Sequence, residues 1–545
     1  MSCNSSGCQS NCYKNGDQVS DSPPPPPAAN NSSNLCLKCK TNSPITPGSL
    51  SGDEARFCAD CFRSNIYGKF RLAVTSHAMI SPSDNVLVAF SGGPSSRVAL
   101  QFVHVLQDRA QKNFEASKDK SLPVFGVGVA FIDESVVYPV SSDKVDGAIQ
   151  DMRSVVSNLA PPTKQLHVVP IENIYASDSS DGKDRLTKLL DAVNDATGKE
   201  DLLLHLRMMA LQKVASQNGY NRLILGSCTS RIACHVLAAT VKKTGIPKAI
   251  SNKPSTKGFL FYELITFTNL PLDLTGKAML RQMEGWENEG RGYSLSADIQ
   301  YVDARWEVPV VLPLRDCTSQ ELNLLCHLDG FVIQTFSYFI LDSLLSFNFL
   351  CRYIIGVKLF RLLLNGGSSW QGSLKTLQPF DSPPSGINGL ISSFVNVLQE
   401  ENSSRECTIL RTAGKLTPFE FNRIPETDDC NVPLAIRRRQ KRYNLKTKES
   451  ISSELFCPIC NAPLKNFNSL NLSSLKSCQI SRFNAACCSS CQFQIIPKEP
   501  SSMENFCSLL PQQVVDRAKH GNCSNLSLLR EQIQDCLLSD SEDET

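Results

Sequence analysis

Residues 85–96 read Asn-Val-Leu-Val-Ala-Phe-Ser-Gly-Gly-Pro-Ser-Ser, and this stretch decides the fold. The apolar run from Asn85 to Phe90 predicts a short strand buried on both faces. Ser91-Gly92-Gly93-Pro94-Ser95-Ser96 predicts a loop, and Val98, Leu100, Phe102, Val103 and Leu106 predict a helix after it. Two glycines let backbone N–H groups approach an anion, and the helix N-terminus adds positive potential. Pro94 carries a φ suited to a first helical turn. Ser91, Gly92, Gly93, Ser95 and Ser96 are therefore candidate ligands of a phosphate or pyrophosphate. Ser-Gly-Gly is also common in ordinary tight turns. The strand–loop–helix context carries the anion reading, not the hexapeptide.

Outward from this loop the chain alternates. Apolar runs predict strands at Val124–Ile132, Gln165–Ile171, Arg222–Gly226 and Val308–Leu314. Helical periodicity covers Ala148–Leu159, Leu202–Gln217, Ile232–Lys242 and Ser319–Leu328. Strands separated by helices imply an α/β domain with a parallel sheet covered on both faces. Asp133 and Glu134 close the second strand, at the edge where α/β ligands bind. They could orient a ribose or a metal, or equally solvate a loop. Cys228 follows the fourth strand and reads as a small buried cysteine rather than a nucleophile, with His235 two turns on.

Length and composition set the outer limits. A chain of 545 residues suggests about three domains. Its 55 Lys+Arg against 53 Asp+Glu give a net charge of +2, which excludes a globally basic nucleic-acid coat but not a local patch. The 23 cysteines are an odd number, and the N-terminal MSCNSSGCQSNCYKNGD has no apolar leader. Both point to a reducing compartment, the cytoplasm, where clustered cysteines read as metal ligands. Cys36, Cys39, Cys58 and Cys61 form two C-x2-C pairs separated by 18 residues. Four thiolates complete a tetrahedral zinc site with no open position, which marks structure rather than catalysis. Cys457 and Cys460, then Cys488 and Cys491, repeat the pattern across 27 residues, with Cys487 a rival for Cys488 and Cys478 a spare. Cys3, Cys8 and Cys12 read as free thiols of a tail.

These features divide the chain into a Pro/Ser-rich tail (1–34), a first zinc module (35–65) and an α/β domain (80–330). An apolar insert (331–369) follows, then the remainder of the α/β domain with a basic linker (370–450), a second zinc module (451–500) and a C-terminal helix with an acidic tail (501–545). Within the insert, Asp342 and Arg352 interrupt residues 331–364, so the segment does not read as a membrane span. Its Phe, Ile, Leu, Asn and Tyr bias resembles translated AT-rich non-coding sequence. Ile387–Gln399 predicts an amphipathic helix. Residues 437–448, RRRQKRYNLKTK, hold seven basic side chains. Arg437, Arg438, Arg439, Lys441 and Arg442 are candidate contacts for nucleic-acid phosphates, and Tyr443 could stack on a base. A solvated linker would look the same. Ser539 and Ser541 lie in the acidic tail.

SGG-x-[DS]-S after a first strand is the PP-loop of ATP pyrophosphatases with the adenine-nucleotide alpha-hydrolase fold. CLKCK with FCADC, KFRLA before NVLVAFSGGPSS, FIDE, LILGSCTSRIA, PVVLPLRD, CPIC with CCSSC, and IQDCLLSDSEDE follow in an order that resembles the tRNA-thiolating branch of that family. The resemblance implies a PP-loop domain flanked by N- and C-terminal zinc-ribbon-like modules. It also implies a subunit of a cytosolic complex that puts sulfur on C2 of the wobble uridine of tRNAs for Lys, Glu and Gln. That uridine also carries a methoxycarbonylmethyl group. The implied partners are tRNA, a related catalytic PP-loop subunit (tRNA 2-thiolation protein 1) and a thiocarboxylated ubiquitin-related modifier as sulfur carrier, with no membrane. Active members have an acidic residue where this chain has Ser95. They carry C-x2-C before an Arg-rich helix where this chain reads Leu202-Leu-Leu-His-Leu-Arg207. Their Gly-His-Asn-x-x-Asp loop is replaced by Gly226-Ser-Cys-Thr-Ser-Arg231. The three departures argue for a non-catalytic or degenerate subunit, with ATP a possible ligand that they weigh against. The rivals are a self-sufficient ATP-dependent tRNA sulfurtransferase, which requires an intact ATP site, and a zinc-ribbon scaffold without a tRNA role.

Overall fold

The computed structural model describes residues 35–45, 56–118, 123–138, 141–175, 181–243, 295–330, 332–334, 373–375, 386–402, 404–416, 419, 421, 455–464 and 479–520. Helix α1 (Ala59–Ser76) leads into β1 (Asn85–Ala89), α2 (Pro94–Ala116), β2 (Gly126–Asp133), α3 (Ser142–Ser157) and β3 (Gln165–Pro170). Then come α4 (Gly182–Asp191), α5 (Ala196–Gln217), β4 (Arg222–Ile224), α6 (Thr229–Lys243), α7 (Leu295–Asp298), β5 (Val302–Asp303), β6 (Val310–Val311) and α8 (Ser319–Leu328). A short pair, β7 (Val332–Gln334) and β8 (Ser373–Lys375), is followed by α9 (Gly386–Glu401) and α10 (Ser404–Ala413). The last helices are α11 (Gln479–Ala486), α12 (Ser489–Gln494), α13 (Pro500–Leu509) and α14 (Gln512–His520).

The main sheet has the order β3-β2-β1-β4-β6-β5. Every pairing is parallel except β5 with β6, which is antiparallel. The five strands expected from the sequence are β1, β2, β3, β4 and β6, while β5, only two residues long, has no periodicity to reveal it. Side chains alternate across the sheet. Leu87, Ala130, Ile132, Leu223 and Val310 face a core shared with α5, α6, α9 and α10. Val86, Val88, Val127, Val129, Phe131, Ile224 and Val311 face a second core with α1, α2, α3 and α8. Burial on both faces explains why the strands read as continuous apolar runs. Helix α8 begins where expected because Thr318 and Glu321 form a reciprocal capping box.

Neither cysteine-rich segment stands apart from these cores. Helix α1, which starts at Cys58, buries Phe62, Ile66 and Phe70 against the second core. Cys457, Ile459, Phe483, Cys491, Ile495, Met503 and Phe506 belong to the first core together with Leu202, Leu206 and Met209 of α5. The approach is tight at Gly198, where an added Cβ would lie 2.0 Å from the Gln494 carbonyl oxygen. Tyr175 Oη donates to the Leu509 carbonyl at 2.9 Å across the same seam. The 1–34 tail and nearly all of the 331–369 insert lie outside the described residues. Among those described, no helix is long and apolar enough to cross a membrane.

A pH dependence is built in beside α1. His77 stacks on Tyr301 with ring centroids 3.8 Å apart, and Arg315 lies 4.3 Å over the same ring. Burial, and then the Arg315 charge, lower the His77 pKa from 6.5 to about 4. A group depressed on folding contributes its full stability above its unfolded pKa and loses it as pH falls toward the folded value. Stability is therefore expected to fall as pH drops from 6.5 toward 4. His77→Gln should flatten that part of the profile, read from thermal midpoints between neutral and mildly acidic pH. An unchanged slope would assign the acid sensitivity elsewhere.

Candidate nucleotide crevice and metal centres

The loops after β1 and β4 meet where the strand order reverses, the position at which open α/β sheets hold ligands. Gly92 adopts a φ of 80°, a conformation open to glycine at little cost, and so turns the chain after β1. Gly93 is the N-cap of α2 and Pro94 sits in its first turn, with no side chain capping the exposed N–H groups. The serine hydroxyls satisfy one another. Ser91 Oγ lies 3.3 Å from Ser96 Oγ, and Ser96 Oγ donates to the Gly93 carbonyl at 2.9 Å. The β4 loop closes on this turn, since a Cβ on Gly226 would lie 2.8 Å from the backbone of Ser95 and Ser96. The structure thus packs the Ser91, Gly92, Gly93, Ser95 and Ser96 loop directly against Gly226 of the β4 loop.

The two acids at the end of β2 are already engaged. Asp133 Oδ1 accepts from the Ser135 N–H at 2.9 Å, closing the turn. Glu134 accepts two hydrogen bonds from Arg207 of α5, one of them Nη2 to Oε2 at 2.8 Å. This fork-to-fork pair was not legible in the sequence, where Arg207 stood only as the end of a cysteine-free stretch. The spacing of 73 residues gives no local signal. Cys228 is buried, and burial pushes the neighbouring Cys234 thiol up to about 12 and the Cys317 thiol well above its ordinary value. His235 Nε2 lies 3.1 Å from Asp298 Oδ2. Asp298 in turn binds Arg305, which also holds Asp303. Burial alone would raise the Asp298 carboxyl, but Arg305 and His235 hold it below its usual range.

Both cysteine quartets are assembled. The sulfurs of Cys36, Cys39, Cys58 and Cys61 all lie within 4.8 Å of one another, as do those of Cys457, Cys460, Cys488 and Cys491. In the first quartet the Cys58 N–H donates to Cys36 Sγ at 3.1 Å. Lys40 takes a φ of 56° to complete the knuckle. Hydrogen bonds from the Thr41 side chain, and then from the Asn42 and Thr41 backbone, lower the Cys39 thiol to about 5, toward the thiolate a metal requires. In the second, Asn461 takes the equivalent φ of 56°, and its N–H donates to the Cys457 carbonyl at 2.8 Å. Cys488 is the N-cap of α12, and its sulfur accepts from the Cys491 N–H at 3.4 Å. The geometry places Cys488 in the quartet and leaves Cys487 buried beside it. Arg305 and Asn461 exchange contacts, the Asn461 side chain donating to the Arg305 carbonyl at 3.0 Å, which ties this knuckle to the sheet. Four convergent sulfurs with no open position suit a divalent ion held structurally. Arg437, Arg438, Arg439, Lys441 and Arg442, and also Cys478, lie outside the described residues.

No family model matches the chain. It is 51% identical over 548 residues, covering 100% of both chains, to the cytoplasmic tRNA 2-thiolation protein 2 of Arabidopsis thaliana. The chain belongs to the cytoplasmic tRNA 2-thiolation protein 2 family. The relative of that name from Oryza sativa subsp. indica is 42% identical over 489 residues, spanning 89% of this chain and 86% of its own. Among solved structures, the U34-tRNA thiolase NcsA from Methanococcus maripaludis, described with its [4Fe-4S] cluster, superposes with a TM-score of 0.38 at 14% identity. The match covers 73% of this chain and 91% of that one. In this member of the 2-thiolation protein 2 family the loop after β1 carries a serine at position 95, an Arg207–Glu134 ion pair lies at the end of β2, and the two cysteine quartets could each hold a metal ion.

Proposed function

We propose that this chain is the structural and tRNA-positioning subunit of the cytosolic complex that 2-thiolates the wobble uridine of tRNAs for Lys, Glu and Gln. Support comes from family membership, and from the Ser91 and Ser96 hydroxyls and the Glu134 carboxylate being already paired within the chain. In the reaction, ATP adenylates the C2 oxygen of the uridine and makes it a leaving group. Sulfur from the thiocarboxylated ubiquitin-related modifier then replaces it. That chemistry falls to the partner, tRNA 2-thiolation protein 1. A carboxylate at the fifth loop position would help manage metal-bound phosphate charge, and the Ser95 hydroxyl cannot. The chain contributes its fold, two zinc ions held by Cys36, Cys39, Cys58 and Cys61 and by Cys457, Cys460, Cys488 and Cys491, and a basic run at 437–442 that contacts tRNA phosphates.

Cells lacking the protein test this reading. Mass spectrometry of bulk tRNA should show the thiolated wobble nucleoside lost and its non-thiolated form accumulating. Unchanged thiolation, without a paralogue, would remove the chain from the pathway and leave the scaffold reading. Tight ATP binding by the isolated chain would instead favour a self-sufficient sulfurtransferase.

A further inference from the structure

The first cysteine knuckle carries a surface that its sulfurs do not account for. Cys36 is fully buried with its sulfur in the quartet, while its neighbours Leu35 and Leu37 are 45% and 40% exposed. Of the five large apolar side chains exposed among the described residues, two are therefore this pair. One exposed leucine is ordinary, but two that flank a single inward-pointing residue form a patch. Backbone hydrogen bonds hold the patch in shape. Leu37 N–H donates to the Arg56 carbonyl at 2.9 Å, Cys36 N–H to the Asn42 carbonyl at 2.8 Å, and Lys40 N–H to the Cys36 carbonyl at 2.9 Å.

The same bonds gather charge around the leucines. Lys38 and Lys40 belong to the knuckle, Arg56 is held beside Leu37, and all three are exposed. No acidic residue occurs from Leu35 to Ile45 to offset them. An apolar centre rimmed by cations suits a short peptide that carries an apolar pair next to acids. A nucleic-acid backbone would meet the cations but leave the leucines wet.

The chain itself carries the complement. Leu537 and Leu538 are followed by Asp540, Glu542, Asp543 and Glu544. Leu35 and Leu37 are followed by Lys38 and Lys40, the same apolar-then-charged order with the opposite sign. Helix α14 ends at His520, and residues 521–545 lie outside the described residues. At about 3.3 Å per residue, that length reaches across a domain of this size. A segment tethered to its own target is presented at an effective concentration of about millimolar, so even a weak patch is occupied.

We propose that the C-terminal segment 536–545 docks within the same chain on the knuckle face formed by Leu35, Leu37, Lys38, Lys40 and Arg56. Leu537 and Leu538 cover the exposed leucines, and the four acids after them pair with the cations. The docking requires neither tRNA nor a second subunit, so it stands or falls separately from the thiolation reading.

The test uses the full-length chain and a water-soluble carbodiimide, which joins a lysine to a carboxylate only where the two already touch. Mass spectrometry of the digest should show Lys38 or Lys40 linked to Asp540, Glu542, Asp543 or Glu544, in a product of single-chain mass. The yield should fall several-fold at 1 M salt, where charges are screened within about 3 Å. Leu35→Ser with Leu37→Ser should also lower it several-fold. Leu537→Ser with Leu538→Ser should do the same without touching the knuckle, which keeps the test valid if the first pair disturbs folding. An unchanged yield in that tail variant would overturn the proposal. So would tail links spread evenly over other exposed lysines such as Lys112, Lys183 and Lys188. Links that join two chains would assign the face to a second copy instead. Absence of tail links, with Lys38 and Lys40 protected only when tRNA is added, would assign it to nucleic acid.

Discussion

Cys457→Ser is expected to release one metal ion and to destabilise the whole α/β core by about 4 kcal/mol or more, the range reached when a structural metal is lost. Cys457 sits in the same core as Leu202, Leu206 and Met209 of α5, and α5 backs the central strands. Its backbone N–H and carbonyl also close the knuckle, through Ala462 and Asn461, each at 2.8 Å. Losing the metal frees the quartet and loosens the packing of Ile495, Met503 and Phe506 on that core. Cys39→Ser at the first quartet should cost less. Cys39 is only half-buried, and α1 stays anchored by Phe62, Ile66 and Phe70, which do not depend on the sulfur. Zinc content with calorimetric unfolding checks both. Equal losses at the two quartets would contradict the distinction, as would a Cys457→Ser chain that kept two zinc ions and an unchanged midpoint.

Gly198→Ala is expected to destabilise by about 1–3 kcal/mol through overpacking, although alanine is the better helix former. Helix propensity alone favours alanine by about 1 kcal/mol, so the two effects oppose each other. The new methyl would meet the Gln494 carbonyl oxygen at 2.0 Å and its carbon at 2.9 Å. These are backbone atoms of α12, which cannot swing aside as a flexible side chain can. Either α12 lifts from α5, carrying Cys491 with it, or α5 shifts at its first turn, where the Asp195 side chain caps Gly198 N–H at 3.1 Å. Gly147→Ala in α3 is the control, because nothing lies within 4 Å of its added Cβ. It should gain roughly 0.5–1 kcal/mol. Opposite shifts in thermal midpoint are the expected result. A stabilised Gly198→Ala would mean that α12 does not seat on α5 as described.

Both predictions rest on contacts that no local pattern announces. Gly198 and Gln494 are far apart in sequence, and a glycine near a helix start reads as an ordinary helix weakness. Arg207 and Glu134, 73 residues apart, are likewise silent in the sequence. The alternation of strands and helices, in contrast, was readable almost throughout. Strands buried on both faces advertise themselves as continuous apolar runs such as Val86–Phe90, and the helices between them by their period. Helix boundaries with local caps were legible, as at Ser319. A cap alone was not enough: α5 begins at Ala196 behind its Asp195 cap, six residues before the apolar period at Leu202 becomes clear.

The cysteine modules divide in the same way. Spacing alone identified the eight candidate ligands, because a C-x2-C knuckle is a short-range device that can be read residue by residue. Choosing between Cys487 and Cys488 took the direction in which each side chain leaves the start of α12, and that direction is set by packing. The sequence by itself determined the α/β class, the strand–loop–helix placement of Ser91–Ser96 and the two cysteine quartets, since each follows from periodicity or spacing within a few residues. Only the tertiary structure decided that the second quartet is built into the central core and that Arg207 neutralises Glu134. These depend on which distant surfaces are pressed together when apolar area leaves water, and that selection is a property of the whole chain.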